Sequence, residues 1–397
     1  MNNRITRAAL AALLFFAAVG MVAATGTAEP VSDSPAPRRV VDALGRTVEI
    51  PGDPRRIATA GRSVLMIANA IYMFPGARDR LVGVGRIDQG KGNFLRAIDP
   101  NYGEKTIFER NVGPEQIASV DPDLVILKTS MQSSLGDGLD LLGIPVVYVN
   151  FETPEDYTSD VALLGHVLGE EERAAEIVEY YATQVEVVEA AVGPGTGGRG
   201  ENDASRRGDE DEAAGDTART GSEASAPRTL FAYADLTTGE AVINVPPPDW
   251  IQTTLVRLAG GEPVWVEAAV GRGWSRVNLE QVAAWSPDVV LLVAYRQNLE
   301  SVAETLAQNS IWSEIVARGN IGLLRFPLDF YSWDQPDVRW ILGLHWLARV
   351  LNPNYEPDME ALLGEFFAFA YGMSEAEIEE VILSRLEGDI EAEGVTF

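Results

Sequence analysis

The chain writes one supersecondary phrase twice: "PEQIASVDPDLVIL" from Pro114 to Leu127 and "LEQVAAWSPDVVLL" from Leu279 to Leu292. Laid over each other without a gap from Val112 and Val277, the copies match at Val112/Val277, Glu115/Glu280, Gln116/Gln281, Ala118/Ala283, Pro122/Pro287, Asp123/Asp288 and Val125/Val290. In each copy the glutamate opens a short helix, Pro-Asp ends it, and an apolar strand follows. One helix-turn-strand unit used once per half predicts two lobes of like construction. The residues also have an ordinary account, since Glu suits the positive end of a helix dipole and Pro-Asp is common punctuation before a strand.

The flanking segments agree. "RIATA", "SVLMIANAIYMF", "LVGVG", "DLVILK" and "PVVYVN" alternate strand and helix in the first half, and "TLFAYA", "EAVINV", "DWIQTTLVRLAG", "DVVLLVAY" and "NIGLLRF" do so in the second. Apolar strand runs spaced by helices are the pattern of sheets covered on both faces. Between Thr153 and Val192 the chain turns helical and charged, with Pro154 placed for a first turn. The expected fold is therefore α/β: two Rossmann-like lobes with mainly parallel sheets, joined by a long rigid α-helix. The 397 residues are enough for two cores.

Expected boundaries follow from composition: a signal peptide at 1–28, a Pro/Ser tether at 29–39, an N-terminal lobe at 40–152 opening on a β-hairpin around Leu44-Gly45-Arg46, and a linker helix with its successor at 153–192. The stretch 193–228 has no aromatic and no Val, Ile, Leu or Met, so it predicts a disordered acidic loop. A C-terminal lobe at 229–356 and a helical extension at 357–397 complete the chain. In the extension "DMEALLGEFFAFAYG" reads as a docked helix and "SEAEIEEVILSRLEG" as a loosely held acidic one.

Arg4 and Arg7 before "AALAALLFFAAVGMVAA" give the leader its secretory character, and the absence of cysteine removes both disulfides and the thiol that a lipoprotein anchor needs. The expected location is free in the periplasm. Loss of the leader takes the formal charge from −28 to about −30. That surplus of carboxylates excludes nucleic acid as a partner, because phosphate contacts need basic residues.

With these features in place, "VVDALGRTVEIPGDPRRIATA", the two "EQ[IV]A…PD" units and the helical link resemble the periplasmic substrate-binding proteins for ferric siderophores, haem and cobalamin, the helical-hinge class III type. The resemblance runs from about Val40 to Asn352 and leaves the acidic loop and the tail after Pro357 unexplained. It implies a monomeric binding component of an ABC importer, serving a permease dimer with its ATPase subunits. It also implies that Glu115 and Glu280 sit on the outer faces of the lobes and dock onto arginine pockets of the two permease subunits. Two equivalent subunits would need two equivalent handles.

In open α/β sheets ligands lie beyond the carboxyl ends of strands. The loops there supply Arg62, Arg86, Lys128 and Thr129 in the first half, and Trp274, Tyr295, Arg296, Tyr331 and Trp333 in the second. Arginine forks suit carboxylate, catecholate or oxyanion groups, and aromatic faces add contact area at low entropic cost. Ser332 to Pro336 is expected to face the cleft, whereas Trp340, Leu344 and Leu347 fall at helical spacing as core. Only His166 and His345 are available as imidazoles, and both read as helix residues with apolar neighbours. No metal site and no cofactor are implied, so a metal would arrive wrapped in its chelator. Ser-His-acid order, HExxH, phosphate-loop and dinucleotide motifs are all lacking, which argues against an enzyme. The expected cargo is a ferric siderophore or similar metal chelate. Cobalamin, haem, a molybdate- or tungstate-type oxyanion and a non-transport chelate sensor stay open.

Overall fold

A computed structural model describes residues 35–87, 89–193, 226–235, 242–319 and 321–392. The leader, most of the tether and all but the ends of the acidic loop lie outside the described residues. The first element is the expected hairpin, β1 (Arg38–Val41) antiparallel to β2 (Thr47–Ile50), with Val41 opposite Thr47. Asp42 shapes its turn by accepting from Leu44 N and Arg46 N, both at 3.0 Å, and Gly45 takes φ 74°. Arg46 lies over the Tyr148 ring at 4.4 Å, which fastens the hairpin to the first sheet.

That sheet holds β3 (Ile57–Thr59), β4 (Leu81–Gly85), β5 (Thr106–Phe108), β6 (Leu124–Lys128) and β7 (Val146–Val149), in the order β5-β4-β3-β6-β7, all parallel. The chain moves outward one way from β3 and then jumps to β6 to move the other way. The switch point therefore lies at the carboxyl end of β3, where a crevice opens. The helix that follows β3, α1 (Val64–Tyr72), is buried at all nine positions, apolar throughout except for Asn69. Short helices α2 (Phe94–Ile98), α3 (Pro114–Ala118) and α4 (Asp137–Leu141) fill the other crossovers.

Two helices come next. α5 (Pro154–Leu168) is capped by Thr153, whose hydroxyl accepts from Asp156 N at 3.0 Å, and ends at Gly169 with φ 72°. α6 (Glu171–Val192) has 22 residues, roughly 33 Å of helix at about 1.5 Å per residue.

The second sheet has the order β11-β9-β8-β12-β13, built from β8 (Arg228–Asp235), β9 (Val242–Val245), β11 (Ser275–Val277), β12 (Val289–Val293) and β13 (Gly322–Arg325), with the two-residue β10 (Glu262–Pro263) beside β8. β8, β12 and β13 are parallel, but β9 runs antiparallel to β8 and β11 antiparallel to β9. The "mainly parallel" expectation thus describes the first sheet better than the second. Only residues 236–241 link β8 to β9, too few for a crossover to a parallel neighbour. Around this sheet lie α7 (Ile251–Leu258), α8 (Leu279–Trp285), α9 (Leu299–Ala307) and α10 (Ser310–Gly319).

The repeated phrase does the same work in both lobes. Gln116 Oε1 accepts from Gly113 N at 2.9 Å, and Gln281 Oε1 accepts from Asn278 N at 3.0 Å, so each glutamine caps its own helix. Asp123 accepts from Arg55 N at 2.7 Å and Arg56 N at 3.0 Å, and Asp288 accepts from Arg228 N at 2.8 Å. Each aspartate thereby staples the edge-to-centre entry of β3 or β8 to the strand it launches.

One apolar core runs without a break through both lobes, the α6 face (Ile177, Tyr181, Val188) and α11 (Trp340–Leu351). Trp340, Leu344 and Leu347 are buried in it. α12 (Met359–Tyr371) closes the core from outside, with Phe369 stacked on Tyr180 at 4.4 Å and Tyr371 edge-on to Phe94 at 4.8 Å. The segment after it is helical as expected but not loose: Glu375–Glu377, Ile378–Ile382 and Leu383–Arg385 follow one another as α, π and 3-10 turns, Ile378 and Ile382 are buried, and the chain then extends to pair with Leu328. Among the described residues no helix is long and apolar enough to cross a membrane.

Candidate ligand-binding site

At the switch point β3 runs into Gly61 with φ 92° and Ser63 with φ 56°, and α1 starts immediately after. A Cβ on Gly61 would lie 2.6 Å from Met131 Sδ, so glycine is needed both for the backbone angle and for space. The turn aims the amino end of α1 at a cavity of about 190 Å³, lined by residues 61–65, Arg86, Ile87, Gln89, Arg110 and, from the second lobe, Arg296.

The cavity is cationic. Arg62, Arg86, Arg110 and Arg296 are exposed side chains converging on it from four loops, and guanidinium stays charged at every physiological pH. Arg86 is held by Glu109 at 2.6 Å. The first turn of α1 carries no acidic residue and Ser63 makes no side-chain cap, so the positive end of the helix adds to the same field. In a chain of formal charge −28 this is a local inversion of sign. The arrangement suits a small anion held by forked hydrogen bonds.

Of the residues expected here, Arg62, Arg86 and Arg296 line the cavity. Tyr295 and Trp274 are not among the residues lining it: their ring centres are 5.8 Å apart, Tyr233 is 4.9 Å from Tyr295, and Tyr295 lines a smaller cavity with Gly90, Lys91 and Gln335. Burial, then the carboxylate of Asp334 that its hydroxyl donates to at 2.6 Å, pushes the Tyr295 phenol well above its ordinary range.

The others lie elsewhere, each for a definite reason. Lys128 is buried and its ammonium is consumed internally by Asn150 O and by Glu152 Oε1 at 2.6 Å. Thr129 donates to Asn150 Oδ1 at 2.9 Å. Tyr331 and Trp333 are wholly buried, and the Tyr331 hydroxyl accepts from Phe94 N at 3.2 Å. The turn from Ser332 to Pro336 points inward instead of into the cleft because the segment wraps a buried cation. Arg339 Nε donates to both oxygens of Asp329 at 2.8 Å, Nη1 donates to Asp337 at 2.9 Å, and the guanidinium lies 4.4 Å over Phe94. Three carboxylates on one turn, Asp329, Asp334 and Asp337, are tolerable inside only with such partners. Arg110 is outside the expected set: it follows the three-residue strand β5, too short to stand out as a strand in the sequence.

Glu115 and Glu280 are exposed in the first turns of α3 and α8, and among the described residues neither carboxylate makes a hydrogen bond or ion pair. Neither points into the arginine cavity. His166 is exposed with Nδ1 3.2 Å from Glu171, and His345 is buried with Nδ1 2.6 Å from Tyr355 Oη. Among the described residues no cluster of His, Asp or Glu is arranged to hold a metal ion.

Two α/β lobes linked through a helix, with a cavity at the switch point and Arg296 contributed to it by the second lobe, form the two-lobe fold of the class III periplasmic binding proteins. Residues 57–197 match the family model described as Periplasmic binding protein. The molybdate-binding protein MolA of Haemophilus influenzae is 23% identical over 363 residues, 85% of this chain and 92% of that protein. The crystal structure of MolA bound to molybdate is 19% identical and covers 85% of this chain and 98% of that one, at a TM-score of 0.63. A periplasmic solute binding protein from Veillonella parvula is 19% identical, covering 88% and 98%, at a TM-score of 0.62.

Proposed function

We propose that this protein captures a small, multiply charged oxyanion of the molybdate or tungstate type and delivers it to the permease of an ABC importer. The observation that carries this reading is four arginines from both lobes, with the amino end of α1, around a cavity of about 190 Å³. Pockets for drug-sized ligands run to about 300–1,000 Å³, so a ferric siderophore, haem or cobalamin is a poorer match to the volume. The name of the Haemophilus influenzae relative points the same way. Capture is electrostatic and steric, with no bond made or broken. Glu115 and Glu280, one per lobe, are the handles that the two permease subunits grip.

Tryptophan fluorescence is the readout, because Trp274 packs on Tyr295, the residue before Arg296 in the chain. Titration with molybdate, tungstate, sulfate, a ferric catecholate, haem and cobalamin should show tight saturation with molybdate or tungstate alone. Saturation by a chelate with no response to either oxyanion would overturn the assignment.

A further inference from the structure

The C-terminal extension lies outside both lobes, yet its last described stretch is tied to the second lobe on three sides. Glu387 exchanges backbone hydrogen bonds with Leu328 at 2.9 and 3.0 Å. Gly388 takes φ 92° where a Cβ would meet Phe326 O at 2.7 Å. Asp389 accepts from Arg325 N at 2.7 Å and Nε at 3.1 Å, and its carbonyl accepts from Trp346 Nε1 at 2.8 Å. So anchored, the strap holds the Glu387 carboxylate against the ammonium of Lys91, which belongs to the first lobe.

Lys91 sits on the loop that builds one wall of the arginine cavity. That loop leaves β4 with Arg86, Ile87 and Gln89, all lining residues, and then crosses to the second lobe. Gly90 N donates to Tyr295 O at 3.0 Å, Lys91 N to Phe330 O at 2.8 Å, and Gln89 Nε2 to Gln335 Oε1 at 2.6 Å. A Cβ on Gly90 would lie 1.9 Å from Phe330 O, so the crossing is close enough to demand glycine. Tyr295 is the residue before Arg296. The spacing of the arginines of the two lobes thus depends on a crossing that an ion pair, Lys91–Glu387, fastens to the tail.

We propose that Glu387 is a positioning residue for the anion cavity, holding the Arg86–Gln89 wall in register with Arg296 through its ion pair with Lys91. Glu387 touches no ligand. The pair is partly exposed, at 37% for Glu387 and 28% for Lys91, so its contribution to global stability is small while its hold on the loop is direct. As to affinity, the inference rests on the oxyanion reading; as to the loop, it does not.

The test compares Glu387→Gln, Lys91→Met and the charge swap Lys91→Glu with Glu387→Lys. Hydrogen exchange at Gly90 and Lys91 is measured without ligand, molybdate affinity by calorimetry, and the urea midpoint as a control. Each single variant should raise exchange at the two amides and weaken molybdate about three- to tenfold with the midpoint near wild type, and the swap should restore both. Unchanged exchange in the single variants, a swap that restores neither reading, or a lowered midpoint with affinity intact would overturn the proposal. If wild type itself ignores molybdate, the oxyanion reading falls and exchange alone decides: raised and restored supports positioning, unchanged overturns it.

Discussion

Asn69 Nδ2 donates to Asp337 Oδ1 at 2.6 Å, joining the helix whose amino end faces the cavity to the turn that enters α11 in the other lobe. Asp337 is in turn held by Arg339, and all three residues are buried. The lobes are therefore bolted by a charged network inside a shared core, as well as linked by α6. Burial raises the Asp337 carboxyl above its usual range despite Arg339, so the network is costly to leave half-made.

Removing its cation should be severe. Arg339→Met strands Asp329 and Asp337 without their partner and is expected to destabilise by about 3–5 kcal/mol, whereas Asn69→Ala removes one bond to a charged group and should lose about 1–3 kcal/mol. Urea unfolding of the two variants checks the order.

Ligand affinity should follow cavity membership. Arg62→Gln and Arg296→Gln are each expected to weaken molybdate about tenfold or more, since each removes charge-assisted bonds to a desolvated anion. Arg86→Gln should cost less, because Glu109 already occupies part of its fork. Lys128→Met and Tyr331→Phe should alter stability and leave affinity near wild type. Calorimetric titration of the five variants decides this, and a large affinity loss from Lys128→Met would refute the cavity as drawn.

Docking should separate from binding. Glu115→Gln with Glu280→Gln is expected to abolish transport in reconstituted vesicles while the dissociation constant for molybdate stays unchanged. Transport at the wild-type rate would remove these residues as handles.

Two buried groups give opposite pH signatures. Burial lowers His345 from 6.5 to about 4, so its contribution is fully present above pH 6.5 and is lost as pH falls from 6.5 to 4. The loss is on the order of 3 kcal/mol by the usual conversion of about 1.4 kcal/mol per pH unit. Burial raises Asp160 from 3.8 to about 6, although it accepts from Asn150 N and Phe151 N; its contribution is present below pH 3.8 and is lost as pH rises through 6. Relative to His345→Gln, wild type should weaken on acidification; relative to Asp160→Asn it should weaken on alkalinisation from pH 4 to 6. Denaturation midpoints across pH 4 to 7 measure both.

Much of the fold was legible because its signals are local. Alternating apolar strands and helices, the turn at Gly45 and the first helical turn at Pro154 each depend on a few neighbouring residues. The doubled phrase was legible too, and the structure shows why its glutamine and aspartate recur: one caps, the other staples. That leaves the glutamates as the repeated residues with no internal duty.

The sequence by itself determined two α/β halves, an acidic chain and arginines at strand ends. Tertiary structure alone decided which of those arginines meet, since convergence at β3 depends on strand order, and a residue such as Arg110 gains its place from a three-residue strand that no periodicity reveals. It likewise decided that "DFYSWDQP" turns inward. Arg339 is a local partner for Asp329 and Asp337, but burying the three carboxylates also needs Asn69 at Asp337 and Tyr295 and Gln252 at Asp334, and that pairing is a property of the packed chain.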